Sequence, residues 1–200
     1  VELSQQGIHV PKAGRAQGIS GHHKFMWQML KDPRIDPDED AIGALVAELT
    51  MVDMPKVVVS AEGLQFLSVH PHLMQGFCRR LRALGYRIEV ILFLREREGY
   101  LLSLQKQHER IGEGRDLAWY RREAEEANAI RLSPIKYFDL DYKRLVRNLR
   151  RGAGRHIHVL DYDACTKGDG VLPGFLRCLG ASEALIEKSR AAARHNVSAS

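Results

Sequence analysis

Cysteine is scarce: the 200-residue chain has three, Cys78, Cys165 and Cys178, with no CxxC and no Cys/His ligand spacing. An odd count without such spacing argues against a disulfide framework and against a zinc finger. Long apolar runs are missing too. The longest, such as 57–59 and 90–94, fall far short of the roughly 20 residues that span a bilayer, which excludes a transmembrane helix. The opening residues VELSQQGIHVPKAGR lack the apolar region and small-residue cleavage site of a secretory signal, so the cytoplasm is the expected compartment. Aromatics make up only 7% and do not interleave with the basic clusters. Platforms for single-stranded nucleic acid need that interleaving, so nucleic acid ranks below a small anionic ligand as a partner.

What is present suits a packed fold. Hydrophobic residues at 44% and charged residues at 28% predict one compact domain over residues 1–200. A net charge of +5 favours anionic partners such as phosphate-bearing cofactors or acidic glycans. Glycines and prolines make residues 1–36 a loop-rich opening with one short helix over 24–30. An α/β core over 37–200 follows. Apolar spacing and turn signals predict helices at about 37–52, 71–84, 98–108, 116–127, 139–151, 171–179 and 182–193, and strands at 56–60, 86–94 and 156–162. That order suggests parallel crossover units, a mostly parallel sheet flanked by helices. In such sheets ligands bind outside the carboxyl ends of the strands, which directs attention to 60–63, 95–103 and 161–167.

Several constellations stand at those places, each with an ordinary structural explanation beside the chemical one. Arg95 ends the strongest strand and Ser103 lies about a turn into the next helix. A phosphate there would take a guanidinium contact, a hydroxyl hydrogen bond and backbone N–H donors; equally, Arg95 is a solvated strand-end charge. Glu62 in VVVSAEGL suits a base toward an acceptor hydroxyl, or a first-turn glutamate after a capping serine. His22 and His23 in GHHKF offer a general base near neutral pH, or are loop histidines. Adjacent side chains in extended backbone point apart, so the pair is a poor metal site. Asp139–Asp141 and Asp161–Asp163 match the short DxD pattern of metal-dependent glycosyltransferases, and the first is explained as well by a helix start. Arginines at 79, 80 and 82 and at 144, 147, 150 and 151 form basic faces that would draw a polyanion or simply face water.

Taken together, VVVSAEGL, LRALGYRIEVILFLREREGYLLSLQKQ, FDLDYKRL and HIHVLDYD, with the early GI.VP..GR and GHH and the late Asn196 and Ser198, run in order over most of residues 7–198. This series resembles bacterial sulfotransferase-like proteins that use 3′-phosphoadenosine 5′-phosphosulfate (PAPS). The resemblance implies a P-loop-NTPase-like α/β fold and metal-independent transfer of a sulfuryl group to a hydroxyl or amine of a carbohydrate or small acceptor. It gives Arg95 and Ser103 the 3′-phosphate, and His22, His23 or Glu62 the role of base. The family pattern also opens with a strand and a KTGT-type loop for the 5′-phosphosulfate, which nothing in residues 1–200 matches. PKAGR at 11–15 lies where the family has its P..GR loop and is rejected as that cradle. The expectation is therefore an N-terminally incomplete sulfotransferase fold. Its rivals are a non-catalytic adenosine-phosphate or polyanion-binding remnant and a glycosyltransferase using Asp161 and Asp163.

Overall fold

The computed structural model describes residues 2–197, with side chains described over 3–190. Its elements are, in order, α1 (Glu2–Gln5), β1 (Ile8–His9), α2 (His23–Leu30), α3 (Ala41–Thr50), β2 (Lys56–Val57), a 3-10 helix (Glu62–Val69), α4 (Pro71–Ala83), β3 (Val90–Leu94) and α5 (Arg97–Arg110). Then come α6 (Leu117–Ala127), β4 (Ala129–Arg131), β5 (Tyr137–Asp139), α7 (Tyr142–Ala153), β6 (Ile157–Asp161), α8 (Tyr162–Lys167), α9 (Val171–Cys178) and α10 (Glu183–Val197). The fold is mixed α/β with small sheets. Among the described residues no helix is long and apolar enough to cross a membrane.

The chain divides into two compact units, one of Leu3–Glu89 with Glu123–His156, the other of Val90–Arg122 with the chain from Ile157 onward. In the first unit the 3-10 helix is the hub, packed by α2, α4, α7 and β5. It buries Gly63, Phe66, Leu67 and Ser68. Phe66 meets Phe138 edge to face at 4.9 Å, and Phe25 meets Phe77 at 5.6 Å, geometries that add to the burial of the rings. A Cβ at Gly63 would come within 2.5 Å of Met26 Cε, so α2 approaches this closely only because the side chain is absent.

The second unit is organised by β3 and β6, which pair in parallel from Val90 opposite Ile157 to Leu94 opposite Asp161. Both strands therefore release their chains at one edge, into α5 and α8. Gly174 of α9 brings that helix against Cys165, since a Cβ there would sit 3.3 Å from Cys165 Sγ, and α10 packs on α9.

The single mostly parallel sheet predicted from the sequence is replaced, among the described residues, by three two-stranded sheets: β1–β2 and β3–β6 parallel, β4–β5 antiparallel. Lack of partners shortens the strands. Residues 86–89, predicted as strand, have no counterpart across from the five residues of β6, and Tyr86 N–H bonds back to the Leu81 carbonyl. The run at 56–60 ladders at Lys56 and Val57, with one further bond from Val58 N–H to the His9 carbonyl at 2.8 Å. Beyond that, Ser60 gives both its backbone groups to His22. The β4–β5 hairpin was not expected. Its flanks AIR and YFD are strand formers around a Ser-Pro turn, a signal overshadowed by the helix read at 139–151.

Helix starts follow capping chemistry. Asp40 and Asp141 accept N–H bonds from Gly43 and Arg144, satisfying donors that have no partner within the helix. Thus α3 and α7 begin at 41 and 142, later than the acidic runs suggested. Asp139 belongs to β5 rather than to the helix.

Candidate functional site

At the shared edge of β3 and β6, Arg95 follows Leu94 while Tyr162 and Asp163 follow Asp161. Arg95 Nε lies 3.4 Å from Asp163 Oδ1, and its guanidinium stands over the Tyr162 ring at 5.1 Å. The guanidinium folds back onto the first turn of α5: a Cβ at Gly99 would be 3.3 Å from Arg95 Nε. Ser103 is half-buried one turn further along. Residues four apart share a helix face, so Arg95 and Ser103 are brought to one side of α5.

The backbone donors of that turn are already taken. The Glu96 side chain accepts from Glu98 N–H and Gly99 N–H, both at 2.9 Å, and Asp163 Oδ2 accepts from Glu96 N–H at 2.7 Å. The Glu98 and Gly99 amides hold the Glu96 carboxyl below its ordinary range. Thus the N–H donors expected for a phosphate carry carboxylate oxygens, and Arg95 carries one as well. Asp161 accepts from Ala164 N–H at 2.9 Å and caps α8. Both acids of the DYD pattern are therefore committed to the protein. Among the described residues no three His, Cys, Asp or Glu side chains gather where they would hold a metal ion.

The remaining predicted site residues lie in the first unit, where the structure joins the GHH and SAEG segments. His22 N–H donates to the Ser60 carbonyl at 2.7 Å. His22 Nδ1 lies 3.0 Å from Ser60 N and 3.1 Å from the Ser60 carbonyl oxygen, and Nε2 faces the Pro11 carbonyl at 3.0 Å. His22 is 2% exposed and stacks on Phe25. Both nitrogens face backbone groups, so His22 ties the 11–23 loop to Ser60. Gly21, at φ +92°, makes the approach feasible, because a Cβ there would lie 2.8 Å from the Ser60 oxygen.

His23 differs. Its Nε2 is 2.7 Å from the Ser20 carbonyl, an acceptor only, so Nε2 carries the proton and Nδ1 keeps the lone pair that a base uses. The ring is half-buried. Glu62 is exposed in the first turn of the 3-10 helix; the helix cap before it is Ala61 rather than a serine. Beside these segments lies a cleft of about 550 Å³ whose walls include Arg15, Ser20, His22 and Ser60.

The PKAGR loop follows the short β1, whose pairing is too brief to show in the sequence. Its amides are filled from within the protein. Lys12 N–H and Ala13 N–H donate to Glu48 at 2.9 and 2.8 Å, and His9 Nε2 lies 2.8 Å from the same carboxylate. Burial opposes ionisation of Glu48, yet the Ala13 and Lys12 amides with His9 outweigh it and hold the carboxyl below its ordinary value. A group shifted this way stabilises the fold above its unfolded pKa, and the contribution fades as pH falls through the folded value. Glu48→Gln should therefore lower the unfolding free energy by about 2 kcal/mol at pH 7. In urea titrations that difference should shrink below about pH 4. A difference independent of pH would show that charge plays no part.

No family model, curated protein or solved structure significantly matches the chain.

Proposed function

We propose that the protein belongs to PAPS-dependent sulfuryl-transfer chemistry, with a P-loop-NTPase-like parentage for its α/β fold. The observation that carries the reading is the placement of Arg95 against Gly99 with Ser103 one turn further on the same face of α5. A 3′-phosphate laid along that face would take a charge-assisted contact from the guanidinium and a hydrogen bond from the hydroxyl. The acidic neighbours Glu96 and Asp163 oppose it, so phosphate binding requires Asp163 to yield its place at Arg95. PAPS would supply an activated sulfuryl group. In transfer, the sulfur–oxygen bond to the 5′-phosphate of PAPS would break, releasing 3′,5′-ADP, as the acceptor oxygen or nitrogen bonds to sulfur; from the first unit, His23 Nδ1 would be the group that takes the acceptor's proton. The nucleotide part of this reading rests on the second unit alone and the acceptor part on the first alone.

Calorimetric titration of 3′,5′-ADP against 5′-AMP tests it. The chain should prefer 3′,5′-ADP. Arg95→Ala should weaken that binding by roughly 1.5–3 kcal/mol, whereas Asp163→Asn, which removes the competing carboxylate, should tighten it. Equal affinity for the two nucleotides, or an Arg95→Ala variant that binds as the parent does, would overturn the reading.

A further inference from the structure

Two arginine groups far apart in the sequence meet in the first unit. Helices α4 and α7 pack side by side, and Gly152 lets them close, since a Cβ there would lie 2.8 Å from Met74 Cβ. Between α4 and the end of α7 is a cleft of about 310 Å³. Gln75, Arg79 and Arg82 line it from α4 at positions that share one helix face. Arg151 faces them across the glycines 152 and 154, which have no side chains to fill the space. Two bonds brace the walls: Arg82 Nη2 donates to the Ala153 carbonyl, and Gln75 Nε2 to the Arg151 carbonyl at 2.8 Å.

The charge is what sets this place apart. Neither α4 nor α7 contains an aspartate or glutamate, while together they carry Arg79, Arg80, Arg82, Lys143, Arg144, Arg147, Arg150 and Arg151. Arg34, Arg87, Arg121, Arg177 and Arg190 each meet a carboxylate, as does Arg144 near the start of α7. Among the described residues Arg79, Arg82 and Arg151 form no ion pair with a carboxylate. The helix dipole favours cations in the last turn, which accounts for Arg82 and Arg151. It does not account for Arg79, which precedes that turn, or for three arginines lining one hollow without an acid. Like charges held together in this way repel one another until an anion joins them.

We propose that this cleft binds the tetrahedral oxyanion of a phosphate or sulfate ester, at a site separate from Arg95. The guanidinium fork matches such an anion through paired N–H donors, and the volume leaves room for the small molecule that bears it. Arg82 anchors one side through α7, and Arg79 with Arg151 supplies the grip.

Calorimetry with inorganic pyrophosphate on the full chain is the test, with Arg82 left intact because it braces α7. The double variant Arg79→Gln/Arg151→Gln should lose roughly 10-fold or more in affinity. The charge-matched control Arg110→Gln/Arg147→Gln should bind as the parent does, and circular dichroism should show both folded. Equal losses in the two double variants would mean diffuse charge attraction and overturn the site; so would absence of pyrophosphate binding by the parent. Loss on Arg95→Ala instead would place the anion at β3 and overturn it as well, whereas failure of the 3′,5′-ADP preference leaves this cleft untouched. Glucose 6-phosphate and glucose 6-sulfate, titrated beside glucose, identify the ester: preference for either over glucose supports the site, and no preference overturns it.

Discussion

Arg144→Ala is expected to lower the unfolding free energy by roughly 3–5 kcal/mol, the cost of leaving a buried charge without its partner. The Asp139 side chain is only 1% exposed. Arg144 meets it through Nε at 3.0 Å and Nη2 at 2.8 Å, and the same guanidinium reaches the Tyr137 hydroxyl at 3.0 Å. The hydrogen bond to Asp139 raises the pKa of Arg144 above its ordinary value. The pair fastens the start of α7 to the β4–β5 hairpin, and Asp141 N–H adds a bond to Asp139 at 3.0 Å. Since the loss comes from the stranded carboxylate, a second substitution that removes it should restore part of the stability. Chemical denaturation of Arg144→Ala and of Arg144→Ala/Asp139→Asn checks both halves. If the double variant is no more stable than the single, the cost lies in packing rather than in the buried charge.

The second large effect separates two neighbouring histidines. His22→Ala should cost roughly 2–5 kcal/mol, because it empties a buried ring site and leaves Ser60 N–H and the Pro11 carbonyl without their partner. His23→Ala, which loses one half-exposed hydrogen bond, should cost about 1 kcal/mol or less. Under the proposed chemistry the order reverses for turnover: His23→Ala should slow sulfuryl transfer by roughly 100-fold or more, while His23→Gln keeps the fold without the base. Thermal melts read the first contrast, and turnover of PAPS by the folded variants reads the second. A His23→Ala chain that transfers at the parent rate would remove His23 from the mechanism and leave Glu62 as the candidate.

Much of the helical framework can be read without coordinates. The apolar stripe from Pro71 to Ala83 and the Gly85 stop predict α4 almost to the residue, because these are local effects of side-chain spacing and backbone freedom. Parallel strands such as β3 and β6 are visible as apolar runs, and from them the edge carrying Arg95 follows. Strand extent is not local. It depends on a partner 67 residues away, so 86–89 read as strand and do not pair.

The chemistry divides in the same way. Residue types and spacing were enough to single out Arg95, Ser103 and the histidine pair. Tertiary structure alone decided that Asp163 sits on Arg95 and that Ser60 and Pro11 engage both nitrogens of His22. It also brought Arg79 and Arg151 into one cleft. The physical reason is common to all three: hydrogen-bond partners and charge neighbours across a fold are set by packing, which joins residues that have no relation along the chain. The local code chooses which groups are available; burial and proximity determine which of them are left to act.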